Sequence, residues 1–142
     1  MATHLGPVEV RPAYRDEQLV AKLGIEILCC EPGLVVGSMP VAGNRQPVGI
    51  MHGGANAVLA ETLGSLAAWL HAGTDRQIVG LDLSCTHHRW VAAGTVTGVC
   101  RPLHEGAATA TYEIAISDAS GVRTCTARLT CAISRRPAGA GS

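Results

Sequence analysis

Phenylalanine is absent from this chain, and aromatic residues of every kind make up only 3% of it. A core cannot then rest on stacked rings, so it must be built from Val, Leu, Ile and Ala in close contact. Charge is scarce too, at 15% of residues with a formal net charge of zero. No basic run occurs, which argues against nucleic acid as a main partner. The opening MATHLGPVEV lacks the charged start and apolar core of a secretory leader, so a cytoplasmic location is expected. The longest strongly apolar run, Ala55–Ala60, falls far below the roughly 20 residues that span a membrane, and no membrane association is expected. C-x-x-C pairs and zinc-type Cys/His spacings are also missing, so no metal site is expected.

What is present is small and apolar. The 142 residues suit one domain with a real core, 47% of them are apolar, and 17 are glycine. So lean a surface suggests that another copy of the chain covers part of it. Of the six cysteines, Cys85, Cys100, Cys125 and Cys131 fall inside strand-like runs, where cysteine behaves as a small hydrophobe. The adjacent Cys29 and Cys30 point to opposite faces of an extended segment and make a poor bridge. All are read as reduced thiols.

Along the chain, residues 1–12 carry prolines without a period and read as an arm, with a domain from residue 14 to 134. Asp16–Leu23 has an acidic start, an apolar stripe and Gly24 as a stop, which predicts a short helix. Gly24–Glu31 and Leu34–Val41 are β-type runs around the turn pair Pro32-Gly33, a predicted hairpin. A second, long helix is expected from Gly53 or Gly54 to His71–Gly73. The remainder is strand signal: Gln77–His88, Ala92–Pro102, Gly106–Ser117 and Val122–Ile133, with a turn at Asp118–Gly121. From Arg135 the sequence RRPAGAGS reads as a disordered tail. A sheet of that extent must be covered on one face, and only the long helix is apolar enough to do it.

That helix carries the chemistry. Asn56, Glu61, Thr62 and Ser65 punctuate it, and Glu61 has no Lys or Arg nearby in sequence. A carboxylate amid small aliphatic residues is costly unless it is bonded or used. Ser65, four residues on, shares its face. His52-Gly53-Gly54 lies at the helix start, where free N–H groups and the positive dipole end favour developing negative charge. Glycine there admits a ligand to the backbone, and a carbonyl oxygen so placed would meet an oxyanion hole. Eight residues of helix separate Gly53 from Glu61, about 12 Å at a rise of 1.5 Å per residue. A base or nucleophile must approach to roughly 3 Å, so one subunit does not easily supply both groups. Two copies with antiparallel helices would.

The ordered set Gln46, His52-Gly53-Gly54, Glu61 and Ser65, then VGLDLSCTHHRW over residues 79–90 and GVCRPLH over 98–104, resembles the hotdog-fold acyl-CoA thioesterases. More narrowly it is similar to the branch holding the enterobactin proofreading and 1,4-dihydroxy-2-naphthoyl-CoA thioesterases. The resemblance covers about residues 14 to 134 and implies an α+β hotdog fold, a long central helix wrapped by a curved antiparallel β-sheet. It implies homo-oligomers, dimers that pair as a dimer of dimers. By position, Glu61 would be nucleophile or general base, and the Gly53 N–H the oxyanion donor from the partner subunit. Gln46 and His52 would hold the thioester, and Ser65 would place water or the acyl group. Thr62, Gly80, His87, His88, Arg89, Trp90, His104 and Gly106 would contact substrate or CoA, with Arg89 suited to a phosphate. The turn after His104 reads EGAATAT, without the basic or hydroxyl residue that relatives often carry near Ala107-Ala108. Fewer phosphate contacts are implied there.

The expected activity is hydrolysis of an aromatic or related acyl-CoA to free acid and CoA, of hydroxybenzoyl, dihydroxynaphthoyl or phenylacetyl type. CoA is then part of the substrate, and no cofactor is needed. A 3-hydroxyacyl thioester dehydratase on the same fold pairs His and carboxylate differently, and this set fits it poorly. A non-catalytic acyl-CoA binding protein would not need Glu61 and would need an effector domain, for which this sequence has no room.

Overall fold

The computed structural model describes residues 12–138. The N-terminal arm up to residue 11 and the end of the tail, residues 139–142, lie outside the described residues. A 3-10 segment, Pro12–Glu17, leads into a one-turn helix, α1 (Leu19–Lys22). The single helix expected over Asp16–Leu23 is thus split at Gln18, whose extended ψ of 120° breaks the helical path. β1 (Glu26–Glu31) and β2 (Leu34–Pro40) form the expected hairpin about Pro32-Gly33, with Gly33 at φ +82°. Then come α2 (Gly53–Ala72), β3 (Arg76–His87), β4 (Thr95–Glu105), β5 (Thr109–Ser117) and β6 (Arg123–Arg135).

The strands make one antiparallel sheet in the order β1-β2-β4-β5-β6-β3. β3 therefore leaves its sequence neighbour β4 and pairs with β6 at the far edge. All six cysteines are free thiols. Among the described residues no helix is long and apolar enough to cross a membrane.

The sheet packs on one side against α2, which buries Ala55, Leu59, Ala60, Leu63, Leu66, Ala67 and Ala68. Each leucine so buried contributes about 2 kcal/mol. Two glycines let the helix come close. Gly37 of β2 and Gly98 of β4 face each other across the ladder, and both are buried. A Cβ on Gly37 would meet Leu63 Cδ2 at 2.8 Å, and one on Gly98 would meet Leu63 Cδ1 at 2.7 Å. Leu63 thus seats both methyls on bare backbone, which only glycine permits.

β4 departs from expectation. It begins three residues later than Ala92, at Thr95, and runs past Pro102 to Glu105. His104 is therefore a strand residue and not part of a turn. A bulge between Pro102 and His104 accommodates the ring, which has no N–H for the ladder. β6 likewise runs as far as Arg135 before the tail.

Candidate active site

The first turn of α2 is a cluster of donors. His52 is its N-cap, extended at φ −69° and ψ 130°, and its Nδ1 accepts the Gly54 N–H at 2.8 Å. The Ala55 N–H is taken by the His52 carbonyl at 3.0 Å. The Gly53 N–H has no partner among the described residues. It stands at the positive end of a 20-residue helix, ready for an oxygen that gains charge.

This terminus opens into a cleft of about 290 Å³ lined by Gln46, Ile50, Met51, Gly53, Asn56, His87, His88, Arg89, Trp90 and Val91. Backbone bonds hold its walls. Met51 N–H reaches Val91 O at 2.8 Å, while the Arg45 guanidinium reaches Ala92 O at 3.0 Å. Gln46 folds its own loop by N–H to Ile50 O at 2.8 Å. Its side-chain Nε2 points the same way, 3.4 Å from Met51 O. His88 and Arg89 both donate N–H to Thr124 O, at 2.8 and 3.2 Å, and the His88 ring reaches Thr126 Oγ1 at 2.9 Å. The Arg89 guanidinium makes no hydrogen bond or ion pair among the described residues, and Trp90 is 76% exposed. Both side chains are available to a ligand at the rim.

His87 and Asn56 form the back of the cleft. A Cβ on Gly53 would lie 2.8 Å from His87 Nε2, so the imidazole covers the helix start. His87 Nδ1 is 3.4 Å from Asn56 Nδ2. Asn56 is buried, and its Oδ1 has no partner among the described residues.

Glu61 lies two turns further along, under β3. A Cβ on Gly80 would land on the Glu61 carboxylate, and Gly80 borders a bulge before Asp82. Glu61 makes no hydrogen bond or ion pair among the described residues. Ser65 sits one turn on, half-buried, with its hydroxyl bound to no described residue. Thr62 differs: its Oγ1 donates back to Val58 O at 2.7 Å, within the helix. His104 and Gly106 gather at the other end of α2, where His71 Nε2 donates to Gly106 O at 2.9 Å. The structure thus brings Gln46, His52, Gly53 and His87–Trp90 together. It leaves Glu61, Ser65 and Gly80 midway along the helix, and His104 and Gly106 at its far end.

Residues 48–125 of the chain match the thioesterase superfamily. The chain is 48% identical over 122 residues to the proofreading thioesterase EntH of Klebsiella pneumoniae, covering 85% of this chain and 89% of that one. It belongs to the thioesterase superfamily. EntH of Cronobacter turicensis is 47% identical over 81% of this chain and 85% of its own. Among solved structures, the thioesterase PA1618 of Pseudomonas aeruginosa superposes with a TM-score of 0.82 at 36% identity, covering 87% of this chain and 91% of that one. The thioesterase HI1161 of Haemophilus influenzae gives 0.81 at 32%, covering 94% and 97%.

This thioesterase therefore has the hotdog fold, the long helix against its six-stranded antiparallel sheet, and it is a thioester hydrolase. Sequence reading passed over Asn56 as a binding or positioning group, and over the apolar wall of Ile50, Met51 and Val91. The wall carries no motif, because it forms only when the loops before α2 and β4 meet. Asn56 did leave a signal, as an amide three residues after Gly53 in an apolar helix.

Proposed function

We propose that the chain hydrolyses aromatic acyl-CoA thioesters at a site shared by two copies, with Glu61 of one facing the Gly53 N–H of the other. One observation carries this reading. Glu61 lies unpaired among the described residues beneath β3, and β3 is one of the sheet's two edge strands. That strand spans 12 residues, and its Val79 and Leu81 are 51% and 62% exposed. A long apolar edge with free backbone groups is a place for another strand. A second β3 joined there would run antiparallel, bringing two α2 helices side by side in opposite directions. The separation of about 12 Å between Gly53 and Glu61 in one helix then ceases to matter.

In this arrangement the thioester oxygen lies against the Gly53 N–H, with His52 and Gln46 beside it. As carbonyl becomes oxyanion these donors strengthen their hold, which selects the transition state. Glu61 acts as base toward water or attacks the carbonyl carbon to form an anhydride that water opens. In either route the C–S bond breaks, the thiolate leaves and is protonated, and one water is consumed. Ser65, on the same helical face as Glu61, is placed to orient that water or the acyl group. The chemistry draws on a carboxylate and fixed donors, and calls on no cofactor.

The cleft supports the substrate class. Its wall of Ile50, Met51 and Val91, with Trp90 at the rim, suits a flat apolar acyl group better than a charged one. Arg89 suits a CoA phosphate, with His88 beside it, while Thr62, Gly80, His104 and Gly106, midway along α2 and at its far end, would reach the same CoA from the partner copy. The relatives named proofreading thioesterase agree with thioester hydrolysis.

The test is thiol release from benzoyl-, hydroxybenzoyl-, phenylacetyl-, dihydroxynaphthoyl-, hexanoyl- and palmitoyl-CoA, by the natural chain and by Glu61→Gln. Preference for aryl thioesters, with a fall of about a thousandfold or more in the variant, supports the reading. No turnover with binding retained would move it to an acyl-CoA binding role.

A further inference from the structure

The back of the cleft holds a buried amide to which nothing above gives a task. Asn56 is 6% exposed, the fourth residue of α2, among Ala55, Leu59 and Ala60. Its side chain makes one contact among the described residues, Nδ2 to His87 Nδ1 at 3.4 Å, and its Oδ1 is orphaned. A buried acceptor without a partner destabilises the fold, and an apolar residue would avoid that penalty. What the amide supplies is a directed donor.

With its nitrogen turned to the ring, the amide selects one tautomer of His87. An amide NH2 can only donate, so His87 Nδ1 must present its lone pair, and the neutral ring then carries its hydrogen on Nε2. Nε2 is the ring atom nearest Gly53: a Cβ there would be 2.8 Å from Nε2, 3.2 Å from Cε1 and 3.4 Å from Cδ2. His52 is set in the same way, because its Nδ1 accepts the Gly54 N–H and leaves the hydrogen on Nε2. Two imidazoles at one helix start are thus both held as Nε2–H donors, one by backbone and one by Asn56.

We propose that Asn56 is a positioning residue that holds His87 in its Nε2–H tautomer, so that His87 donates to the substrate's acyl oxygen beside the Gly53 N–H. The proposal deepens the thioesterase reading and rests on it for the identity of that oxygen. The tautomer itself stands apart from any activity. The orphaned Oδ1 is then explained: turning the amide to satisfy it would face oxygen to the ring and move the imidazole proton to Nδ1, away from the cleft.

Long-range 1H–15N spectra of the full chain report the tautomer directly, with His87→Gln assigning the signals. The natural chain is expected to show His87 with an unprotonated Nδ1. Asn56→Asp places an acceptor against Nδ1 and is expected to shift the ring to the Nδ1–H form, with kcat down about a hundredfold and KM within about twofold. Asn56→Leu removes the orphan and the donor together. It is expected to hold or raise Tm, to give mixed tautomers, and to lower kcat about tenfold. An Nδ1–H ring in the natural chain, or an unchanged Nε2–H ring in Asn56→Asp, overturns the proposal whatever the activity. Intact tautomers in a protein that turns over no thioester would instead count against the thioesterase reading alone.

Discussion

The Glu61 carboxylate occupies the space that a side chain at Gly80 would fill. The two residues belong to α2 and β3, and the contact lies on a strand at one edge of the sheet. Gly80 pairs with Cys131 just before the register slips at a bulge, so the ladder is already bent where the carboxylate approaches. A glycine inside a strand often marks such a close approach. Here the approaching group is a carboxylate that, like the Ser65 hydroxyl one turn on, finds no bond among the described residues.

Gly80→Ala tests that relationship. The displaced group is the end of a flexible side chain, so Tm should move little, within about 1 kcal/mol of stability. The carboxylate must shift, however, and a misplacement of about 1 Å is enough to lose about tenfold or more in kcat. Paired measurement of Tm and thiol-release rate checks this. A large loss of stability with full specific activity would show that the glycine serves packing only.

A contrasting glycine lies further along the same helix. A Cβ at Gly64 would come within 2.5 Å of Leu129 Cδ2 and 3.2 Å of its Cβ, both fully buried in the core. Nothing flexible can yield there, so Gly64→Ala should cost about 1–3 kcal/mol by overpacking, read as a lower midpoint in urea. Residual folded protein should keep its kcat, because Gly64 does not line the cleft.

How far the sequence carried depends on whether the signal was local. The start of α2 was legible because His52, Gly53 and Gly54 are themselves the cap and first turn, and its end because Gly73 takes φ +89°. The hairpin around Gly33 was legible for the same reason. The course of β4 through Pro102 was not, since the bulge that admits proline depends on how β5 is registered against it. Nor does periodicity say that β3 crosses to β6 and becomes an edge. The site divides likewise. Glu61 and Gly53 announce themselves as a lone carboxylate and a glycine cap. Asn56 gains meaning only when His87, 31 residues away, folds over it.

Thiol chemistry offers a separate check on the core. Burial pushes the Cys100 and Cys125 thiols up to about 12 and Cys131 to about 11, with the Glu61 charge adding to the last. The thiolate is the reactive form, so at pH 8 these three should resist a thiol reagent in the folded protein. Denaturant should release all six cysteines at once. Rapid native labelling of Cys131 would contradict the packing beneath Gly80.

The turn between β5 and β6 predicts a response to acid. Asp118 is held below the ordinary carboxylate range, first by the Ser120 hydroxyl at 2.7 Å and then by the Val122 N–H at 3.1 Å. A lowered folded pKa adds stability above the unfolded value, and that stability is lost as pH falls through the folded one. Asp118→Asn should therefore remove part of the acid dependence of Tm below about pH 4, and change little at neutral pH. An unchanged acid limb in the variant would assign the loss to other carboxylates.

Sharing of the site between two copies has its own test, by complementation. Glu61→Gln removes the carboxylate. Gly53→Pro removes the free N–H at the first residue after the cap, where proline suits a helix, and its ring also pushes aside the His87 imidazole of the same site. His52 is already extended at ψ 130°, the conformation that a following proline requires. Each variant alone should be nearly inactive. If one site needs Glu61 from one subunit and Gly53 from the other, a mixed dimer contains one doubly broken site and one intact site. Co-refolding the two variants should then restore activity, toward about a quarter of the natural level when equal amounts pair at random. If both groups served the same site from the same subunit, every site in the mixture would stay broken and no activity would return. Val79→Lys with Leu81→Lys on the β3 edge should block the pairing, and with it both the dimer in sedimentation and the restored activity.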